Sequence, residues 1–303
     1  MPDTIISCPY ETPGGANRDF PLTPPSIVLS HYQIGPLLAA RKAGESRAAA
    51  SPDLGLSEVD VVLDDAGVLF PQGERLSWAD AAEVADSEVN CFALEQGRVR
   101  KILTFSEETH RHCGLMPTEG APTLLLAGFP MHRIKGIDPH RDTLNKIRAA
   151  QPQGLVLDTT MGLGYTAIQA ARSAAHVITI ELDPAVVEIA GQNPWSRDLF
   201  ENPKIERRVG DSYEEIETFE DETFNRIIHD PPTFKLAGDL YSGVFYRQLY
   251  RVLKRGGRLF HYIGDLESAS GHRVMRGVIE RLGQAGFQRL TKRQDAFGIV
   301  AQK

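Results

Sequence analysis

The chain has 303 residues, of which 42% are hydrophobic, and it carries a formal net charge of −7. This composition can form a substantial core, and no stretch approaches the run of about 18 apolar residues that a membrane span requires. The first residues lack the basic segment of a signal peptide, and three cysteines without metal-ligand spacing argue against a disulfide scaffold. We therefore expect a cytoplasmic protein of two domains that does not associate with membranes and holds no metal.

The first part of the chain has no catalytic signature. Residues 1–28 are rich in proline and glycine, which predicts a flexible arm. Residues 29–130 predict a small α+β domain, in which Ser77 is a suitable N-cap for the second helix. Its predicted elements are a helix over 30–43, strands within 47–70, a helix from 77 to 86, and strands near 89–94 and 99–105. We expect this domain to recognise the substrate or to form the contacts of a homodimer.

One group of residues in this domain suggests a metal. His110, His112 and Cys113 lie close together in the sequence, and His at positions i and i+2 of a strand share a face. No fourth ligand follows at a suitable spacing. A structural or surface role is therefore favoured for all three.

Charge is distributed unevenly along the chain. Residues 1–130 carry 9 Lys and Arg against 18 Asp and Glu, whereas residues 131–303 carry 24 against 22. A basic stretch begins at His132 and Arg133 and continues to residue 148, and two interpretations of it stay open: a solvated helix face and a substrate contact. This distribution of charge is compatible with binding to structured RNA, whereas tight binding to a naked duplex is not expected.

A strand, a glycine turn and a helix follow over residues 154–175, in the order that begins a doubly wound sheet. The strand ends at Asp158, and the turn contains Gly162 and Gly164, which let the backbone approach a ligand closely. These glycines and Ala167 also fit the dinucleotide fingerprint Gly-x-Gly-x-x-Ala. Taken alone, the segment does not separate a nicotinamide cofactor from S-adenosylmethionine (SAM).

Acidic residues also follow the next three predicted strands, over 177–181, 205–209 and 226–229. A dinucleotide needs only the acid at the second strand, Glu181, to accept the ribose hydroxyls. A cationic amino-acid nucleoside can use several, with Asp211 taking the adenine amine. The pattern favours SAM, and the candidate cofactor-binding residues are Asp158, Thr159, Thr160, Gly162, Gly164, Tyr165, Glu181, Leu182, Asp211, Ser212 and His229.

The last of these strands runs into Asp230, Pro231 and Pro232. Two prolines supply no amide donor and stiffen the loop, so it presents only acceptors: a carboxylate and bare carbonyl groups. Such a loop suits a ligand with N–H donors, so an amino group is the expected feature of the substrate. We predict that these three residues are catalytic and that the substrate contacts are Phe234, Tyr241, Tyr246, Tyr262, His132 and Arg133.

The remaining elements are a helix over 241–253, a strand over 258–263, a helix over 271–285 and a closing pair of strands over 287–302. With these, residues 131–303 resemble the class I SAM-dependent methyltransferases. Asp158-x-x-x-Gly162-x-Gly164, paired with Asp230-Pro231-Pro232, resembles the amino-methyltransferase branch, although Thr233 stands where that branch has its aromatic residue. The wider pattern, with His229 before Asp230, is similar to predicted methyltransferases common in archaea.

This resemblance implies an α/β fold: a seven-stranded Rossmann-like sheet over 131–303, with a smaller N-terminal α+β domain. It also implies a SAM-dependent N-methyltransferase that acts on an amine. The favoured acceptor is an exocyclic base amine in structured RNA, such as cytosine N4 of ribosomal RNA. The alternatives are a small-molecule amine, aminopropyl transfer from decarboxylated SAM, a non-catalytic binding module, and a nicotinamide oxidoreductase.

Overall fold

The computed structural model describes residues 27–234, 236–264 and 269–303. Most of the predicted flexible arm, residues 1–28, lies outside the described residues. Its last two residues, Ile27 and Val28, are buried in a strand and do not belong to a flexible arm. The first part of the described chain contains β1 (Ile27–Leu29), α1 (His31–Lys42), β2 (Arg47–Ala50), β3 (Val59–Asp64), β4 (Gly67–Leu69), β5 (Arg75–Ser77), α2 (Trp78–Ala85), β6 (Phe92–Glu95), β7 (Arg98–Lys101), β8 (Leu103–Ser106), β9 (Arg111–Met116), β10 (Thr123–Leu126) and β11 (Phe129–Pro130).

These strands form three antiparallel sheets, with the orders β1-β6-β7, β2-β3-β4-β5 and β11-β10-β9-β8. Both helices begin as the sequence predicts, since Ser30 and Ser77 cap α1 and α2 through their side chains. The single strand predicted over 99–105 is wrong. Ile102 is fully buried between Cys91 and Leu115 and separates β7 from β8, which belong to different sheets.

The second part of the chain forms one mixed sheet with helices on its faces. Its elements are α3 (Pro139–Ala150), β12 (Leu155–Asp158), α4 (Tyr165–Ala171), β13 (His176–Glu181), α5 (Pro184–Gln192), α6 (Arg197–Glu201), β14 (Ile205–Val209), α7 (Ser212–Glu215), β15 (Phe224–His229), α8 (Gly243–Val252), β16 (Leu253–Tyr262), α9 (Ala269–Ala285), β17 (Gln288–Arg293) and β18 (Gly298–Gln302).

The strand order of this sheet is β14-β13-β12-β15-β16-β18-β17. The first five strands are parallel, whereas β18 pairs antiparallel with both β16 and β17. The predicted α/β fold with a seven-stranded Rossmann-like sheet is therefore confirmed, including its closing pair of antiparallel strands. Strand order reverses beside β12: the chain continues to β13 and β14 on one side and then returns to β15 on the other. Ligands bind at such a point in open α/β sheets.

Apolar packing holds two of the small sheets, β1-β6-β7 and β8 to β11, against the large one. A continuous cluster of buried residues includes Cys91 and Leu124 from the first part and Val156 and Ala167 from the second. Polar contacts reinforce it, since Trp195 Nε1 donates to the Leu54 carbonyl at 3.2 Å. The sheet of β8 to β11 consequently lies beside α5, close to the carboxyl end of β13.

No helix in the described part of the chain combines the length and the apolar character that crossing a membrane requires.

Candidate active site

A cavity of about 430 Å³ opens at the carboxyl ends of the parallel strands. Its volume is typical of a pocket for a small molecule or cofactor. Residues from the ends of β12, β13, β14 and β15 line one side, and residues of the small sheet β8 to β11 line another. The strand-end acids predicted from the sequence do lie along this edge, so the position of the site follows from the parallel topology.

The glycine turn after β12 forms the cavity floor through residues 159–162. Gly162 has a φ of +54°, and its amide donates to Glu181 Oε2 at 2.8 Å. Gly164 has a φ of +77°, caps α4 and does not line the cavity. A Cβ added there would lie 2.5 Å from Leu199 Cδ2, so Gly164 packs closely against Leu199. The two glycines thus differ in role: Gly162 faces the ligand space, and Gly164 permits close packing.

Gly164→Ala is expected to destabilise the fold more than Gly162→Ala. At Gly164 the methyl group would meet Leu199 and also occupy a left-handed backbone conformation, for a combined cost of about 2–5 kcal/mol. At Gly162 no atom lies within 4 Å of the added Cβ, so only the backbone cost of about 1–2 kcal/mol remains. Denaturant unfolding of both variants measures the difference, and equal losses would contradict the packing role of Gly164.

Glu181 ends β13 with its carboxylate in the cavity wall. Its oxygens accept from the Gly162 and Asp183 amides, at 2.8 and 3.1 Å. Burial raises the pKa of Glu181 to about 7, and the two amide hydrogen bonds limit that rise. Leu182 beside it is 46% exposed at the cavity rim. An acid held in this position can accept a pair of vicinal hydroxyl groups.

Asp211 and Ser212 follow β14, and both line the cavity. Asp211 is exposed and caps α7, since its Oδ1 accepts from the Tyr213 amide at 2.8 Å. Ser212 is buried, and its hydroxyl donates to the Thr159 carbonyl. Asp211 therefore reaches the cavity with one oxygen already bound, while Ser212 fixes the start of the glycine turn.

Two of the predicted cofactor contacts lie beneath the cavity instead. Asp158 is fully buried, and its Oδ2 accepts from Thr166 and Thr179 at 2.9 and 3.0 Å. Burial raises the pKa of Asp158 to about 7, and its Oδ1 has no partner among the described residues. The predicted direct contact of Asp158 with a cofactor is wrong, because the side chain is sealed from the cavity by the turn above it.

His229 is the second of these residues. It is fully buried; its Nε2 lies 3.0 Å from the Leu240 carbonyl and its Nδ1 lies 2.7 Å from Thr159 Oγ1. Because a carbonyl only accepts, Nε2 carries the hydrogen and Nδ1 accepts from the threonine. Burial lowers the pKa of His229 to about 3, so the ring is neutral. The predicted cofactor contact is replaced by a structural role that ties the turn to the loop after β15.

The loop after β15 lines the cavity with Asp230, Pro231 and Pro232. Two of its carbonyl groups are already bound: Thr160 Oγ1 donates to the Asp230 carbonyl at 2.8 Å, and the Tyr241 hydroxyl donates to the Pro232 carbonyl at 3.0 Å. Thr160 thus fixes the position of the loop. The carboxylate of Asp230 and the Pro231 carbonyl are the acceptors that remain for a ligand.

A lysine that the sequence did not single out as functional contacts Asp230. Lys146 lies on α3, and its Nζ is 2.7 Å from Asp230 Oδ2 and 3.0 Å from Asp142 Oδ2. Burial opposes its charge, but the two carboxylates outweigh burial and hold the pKa of Lys146 above its ordinary value. Burial in turn raises the pKa of Asp230 above that of an exposed aspartate, with Lys146 limiting the rise.

The predicted aromatic contacts separate into three groups. Tyr262 lines the cavity, and burial raises its pKa to about 12. Tyr241 lies behind the loop with its ring 5.6 Å from that of Phe234, which is 54% exposed and lies outside the cavity wall. Tyr246 is fully buried, and its hydroxyl lies 2.8 Å from His261 Nε2. The predicted substrate contacts of Tyr246 and Tyr241 are therefore wrong, since both pack in the core.

His132, Arg133 and Tyr165 all line the cavity. Burial and the charge of Lys146 lower the pKa of His132 to about 3, so its ring is neutral. Arg133 pairs with Asp142 at 2.9 Å. The Tyr165 hydroxyl donates to the Pro122 carbonyl at 2.9 Å. The basic stretch is thus a cavity wall in these positions and not only a solvated helix face.

The small sheet supplies cavity residues that the sequence analysis missed. Thr109 and Arg111 line the cavity, and Thr109 Oγ1 donates to Asp183 Oδ2 at 2.9 Å. Both flank His110, which the sequence analysis considered, with His112 and Cys113, only as a potential metal ligand. Within the described ranges no three His, Cys, Asp or Glu side chains come close enough to hold a metal.

The cavity fits the adenosyl cofactor that the sequence predicts. Glu181 suits the ribose hydroxyls, and Asp211 stands at the end of the neighbouring strand, where an adenine amine would find an acceptor. Arg133 lines the wall near α3 and suits a carboxylate, while Asp230 follows the end of β15. The donor and acceptor set is that of a nucleoside with an amino-acid tail, and its volume accommodates one.

Comparison with known proteins agrees with this assignment. Residues 157–261 match a methyltransferase domain family. The chain is 44% identical over 237 residues to the uncharacterized protein MJ1233 of Methanocaldococcus jannaschii, which covers 77% of this chain and 80% of that protein. The methyltransferase-domain match decides against a nicotinamide oxidoreductase.

Solved structures share the fold. A spermidine synthase in complex with the transition-state analogue AdoDATO has a TM-score of 0.53 at 18% identity, covering 68% of this chain and 75% of that one. The spermidine synthase of Thermotoga maritima has a TM-score of 0.51 at 18% identity, covering 69% and 75%. The chain belongs to the same family as MJ1233, and it is a class I SAM-dependent methyltransferase.

Proposed function

We propose that this enzyme methylates an amino nitrogen, and that the nitrogen is an exocyclic base amine in a structured RNA, such as cytosine N4 of ribosomal RNA. The observation that carries the proposal is the acceptor-only loop after β15. Asp230 and Pro231 line the cavity, and the carbonyls of Asp230 and Pro232 are already bound by Thr160 and Tyr241. Two acceptors with no donor between them suit an NH₂ group.

The loop can activate a conjugated amine. When bound, SAM supplies a methyl group on a positively charged sulfur. Asp230 and the Pro231 carbonyl each accept one N–H, which draws the nitrogen toward a tetrahedral arrangement and frees its lone pair from the ring. The Asp230 carboxylate then offsets the positive charge that develops on nitrogen and accepts the N–H proton. Pro231 and Pro232 hold these acceptors in place, so positioning contributes to the rate.

An exposed aromatic ring near the loop supports a planar acceptor. Phe234 lies two residues after Pro232, outside the cavity wall, and meets Tyr241 in an edge-to-face contact. An exposed aromatic ring next to an acceptor loop offers a stacking surface for a base. In this proposal Tyr262, His132 and Arg133 form part of the inner wall.

The acceptor is identified by comparing cells with and without this gene. Mass spectrometry of RNA nucleosides and small amines is expected to show the loss of one N-methylated nucleoside in the deletion. Reintroduction of the Asp230→Asn variant should leave that nucleoside missing. Loss of a methylated small amine with unchanged RNA would replace the acceptor class, and no change in either pool would contradict amine methylation.

Aminopropyl transfer is a second candidate, favoured by one feature of the cavity. Asp239 adds a carboxylate at the acceptor end, and acidic groups suit a polyamine. Against it, the guanidinium of Arg133 in the wall suits the carboxylate that decarboxylated SAM lacks. Calorimetry should therefore give tighter binding of SAM than of decarboxylated SAM, and the opposite order would favour aminopropyl transfer.

A further inference from the structure

Lys146 occupies an uncommon place for a lysine. Its side chain is 3% exposed, and its Nζ contacts Asp230 Oδ2 at 2.7 Å and Asp142 Oδ2 at 3.0 Å. The ammonium also lies 4.3 Å from the centre of the Tyr262 ring, an arrangement that favours a cation. Lysines are almost never this buried unless they are paired with an acid, and Asp230 and Asp142 are the acids that pair with Lys146.

The pair belongs to a four-charge cluster made of Arg133, Asp142, Lys146 and Asp230. Arg133 binds Asp142 Oδ1 at 2.9 Å and stacks on Phe297 at 3.4 Å. Positive and negative groups alternate through the cluster, and the side chains of Asp142 and Lys146 are almost fully buried. Such a cluster is stable only as a set, because removing one partner leaves an uncompensated buried charge.

The cluster divides the two oxygens of Asp230. Lys146 binds Oδ2, whereas Oδ1 receives no hydrogen bond from the residues that the structure describes. Asp230 itself forms part of the cavity wall. With Oδ2 fixed to α3, the carboxylate cannot rotate freely, and Oδ1 is the oxygen left for a ligand.

The surroundings of Asp230 otherwise oppose its charge. Asp142 on α3 and Asp158 at the end of β12 are both acids, and Tyr241 and Tyr262 are neutral because burial raises the pKa of each phenol. Among the described residues, Lys146 is the cation in direct contact with Asp230, whereas Arg133 pairs with Asp142. The contact with Lys146 thus favours the ionised form of Asp230.

We propose that Lys146 is a positioning residue that keeps Asp230 ionised and turns its Oδ1 toward the acceptor amine. The proposal deepens the proposed function, on which it rests for the contact between Asp230 and the amine. A lysine with a purely structural role would affect only the fold. In this proposal the ionisation of Asp230 also depends on Lys146. Two independent measurements follow, one on the reaction and one on binding alone.

The first measurement is the pH dependence of methyl transfer from labelled SAM to RNA of cells that lack the gene. In the wild type, kcat should be level across neutral pH. In Lys146→Met, Asp230 should hold its proton at neutral pH, so kcat should fall about 10²-fold and then recover about tenfold per pH unit as the solution becomes basic. A loss that is the same at every pH would overturn the proposal.

The second measurement needs no acceptor, so it stays informative if the enzyme acts on something other than RNA. Sinefungin carries an ammonium group where S-adenosylhomocysteine (SAH) has none, at the position that faces the acceptor. The wild type should prefer sinefungin over SAH by about tenfold or more, because a charge-assisted hydrogen bond to Asp230 forms. Lys146→Met should lose this preference at neutral pH and regain it at basic pH. A preference that persists or increases at neutral pH would show that Asp230 keeps its charge unaided, and would overturn the proposal.

Three further variants separate positioning from folding. Lys146→Arg retains a buried cation and should keep the sinefungin preference, with a moderate loss of kcat from altered geometry. Lys146→Met combined with Asp142→Asn removes one charge of each sign and should fold if the single variant does not. It should also recover part of the preference, because a nearby negative charge is gone. Lys303→Met, at a largely buried lysine bound to the Tyr250 carbonyl, is the matched control and should leave both readouts unchanged.

Discussion

Asp230→Asn is expected to lower kcat by about 10²–10⁴-fold, because the charge that offsets the developing positive nitrogen and accepts its proton is removed. The substitution preserves the size of the side chain, and Lys146 keeps Asp142 as a partner at 3.0 Å. The affinity for SAH should change little, since this ligand brings no positive charge to the loop. Steady-state kinetics and calorimetry on the same preparation measure the two effects separately.

The control for this substitution is Asp221→Asn. Asp221 is 75% exposed, pairs with Arg251 and does not line the cavity. It should leave kcat and SAH affinity unchanged. If Asp230→Asn retained the wild-type kcat, the carboxylate would have no part in the reaction. If it instead abolished SAH binding, Asp230 would belong to the cofactor site and not to the acceptor site.

Glu181→Gln is expected to weaken SAH binding by about 10–100-fold, since charge-assisted hydrogen bonds to the ribose hydroxyls are replaced by weaker neutral ones. The wild-type affinity should also depend on pH. Burial raises the pKa of Glu181 to about 7, so the carboxyl of the free protein is largely protonated at acidic pH. Ligand hydroxyls favour the ionised form, and affinity should therefore be highest above neutrality and fall by about tenfold per pH unit at acidic pH.

Calorimetry across this range tests the sign as well as the size. Near neutrality SAH binding should release protons, which appears as a dependence of the heat on the ionisation enthalpy of the buffer. Glu181→Gln should remove both the proton release and the acidic loss of affinity. Glu201→Gln, at an exposed position at the end of α6, provides the matched control. Proton uptake on binding, or an affinity that rises toward acidic pH, would be inconsistent with a carboxylate acceptor at this position.

The sequence was sufficient to predict the large sheet and its acidic edge because both depend on local patterns. Buried apolar runs ending in Glu181 or Asp230 predict parallel strands, and parallel strands place their carboxyl ends side by side. The stiffness of the loop at Pro231 and Pro232 follows from the two residues themselves. These features required no knowledge of distant contacts.

The errors arise where a residue's role depends on distant partners. Lys146 precedes Asp230 by 84 positions, and its helix position is equally compatible with a solvated face until α3 packs against the sheet. Tyr246 and His229 carry polar groups that suggest ligand contact, yet both satisfy them inside the core. Residues 99–105 have a continuous strand-like pattern, but Ile102 is buried between two sheets and separates β7 from β8.

The contribution of the small sheet was also hidden from sequence reasoning. Thr109 and Arg111 meet the cavity because the sheet of β8 to β11 packs beside α5, and no local pattern specifies that contact. For the nearby residues His110 and His112, the sequence favoured a structural or surface role over a metal site. Tertiary packing decides which of two adjacent residues faces a site, and neither composition nor spacing carries that information.

The central claim is that one cavity holds the adenosyl group at Glu181 and presents its reactive end to Asp230. A crystal structure of the complex with SAH tests it most directly. The claim predicts ribose hydroxyls within about 2.6–3.2 Å of the Glu181 carboxylate and the sulfur directed toward the loop after β15. An adenosyl group bound elsewhere, or one whose sulfur is directed away from Asp230, would contradict it.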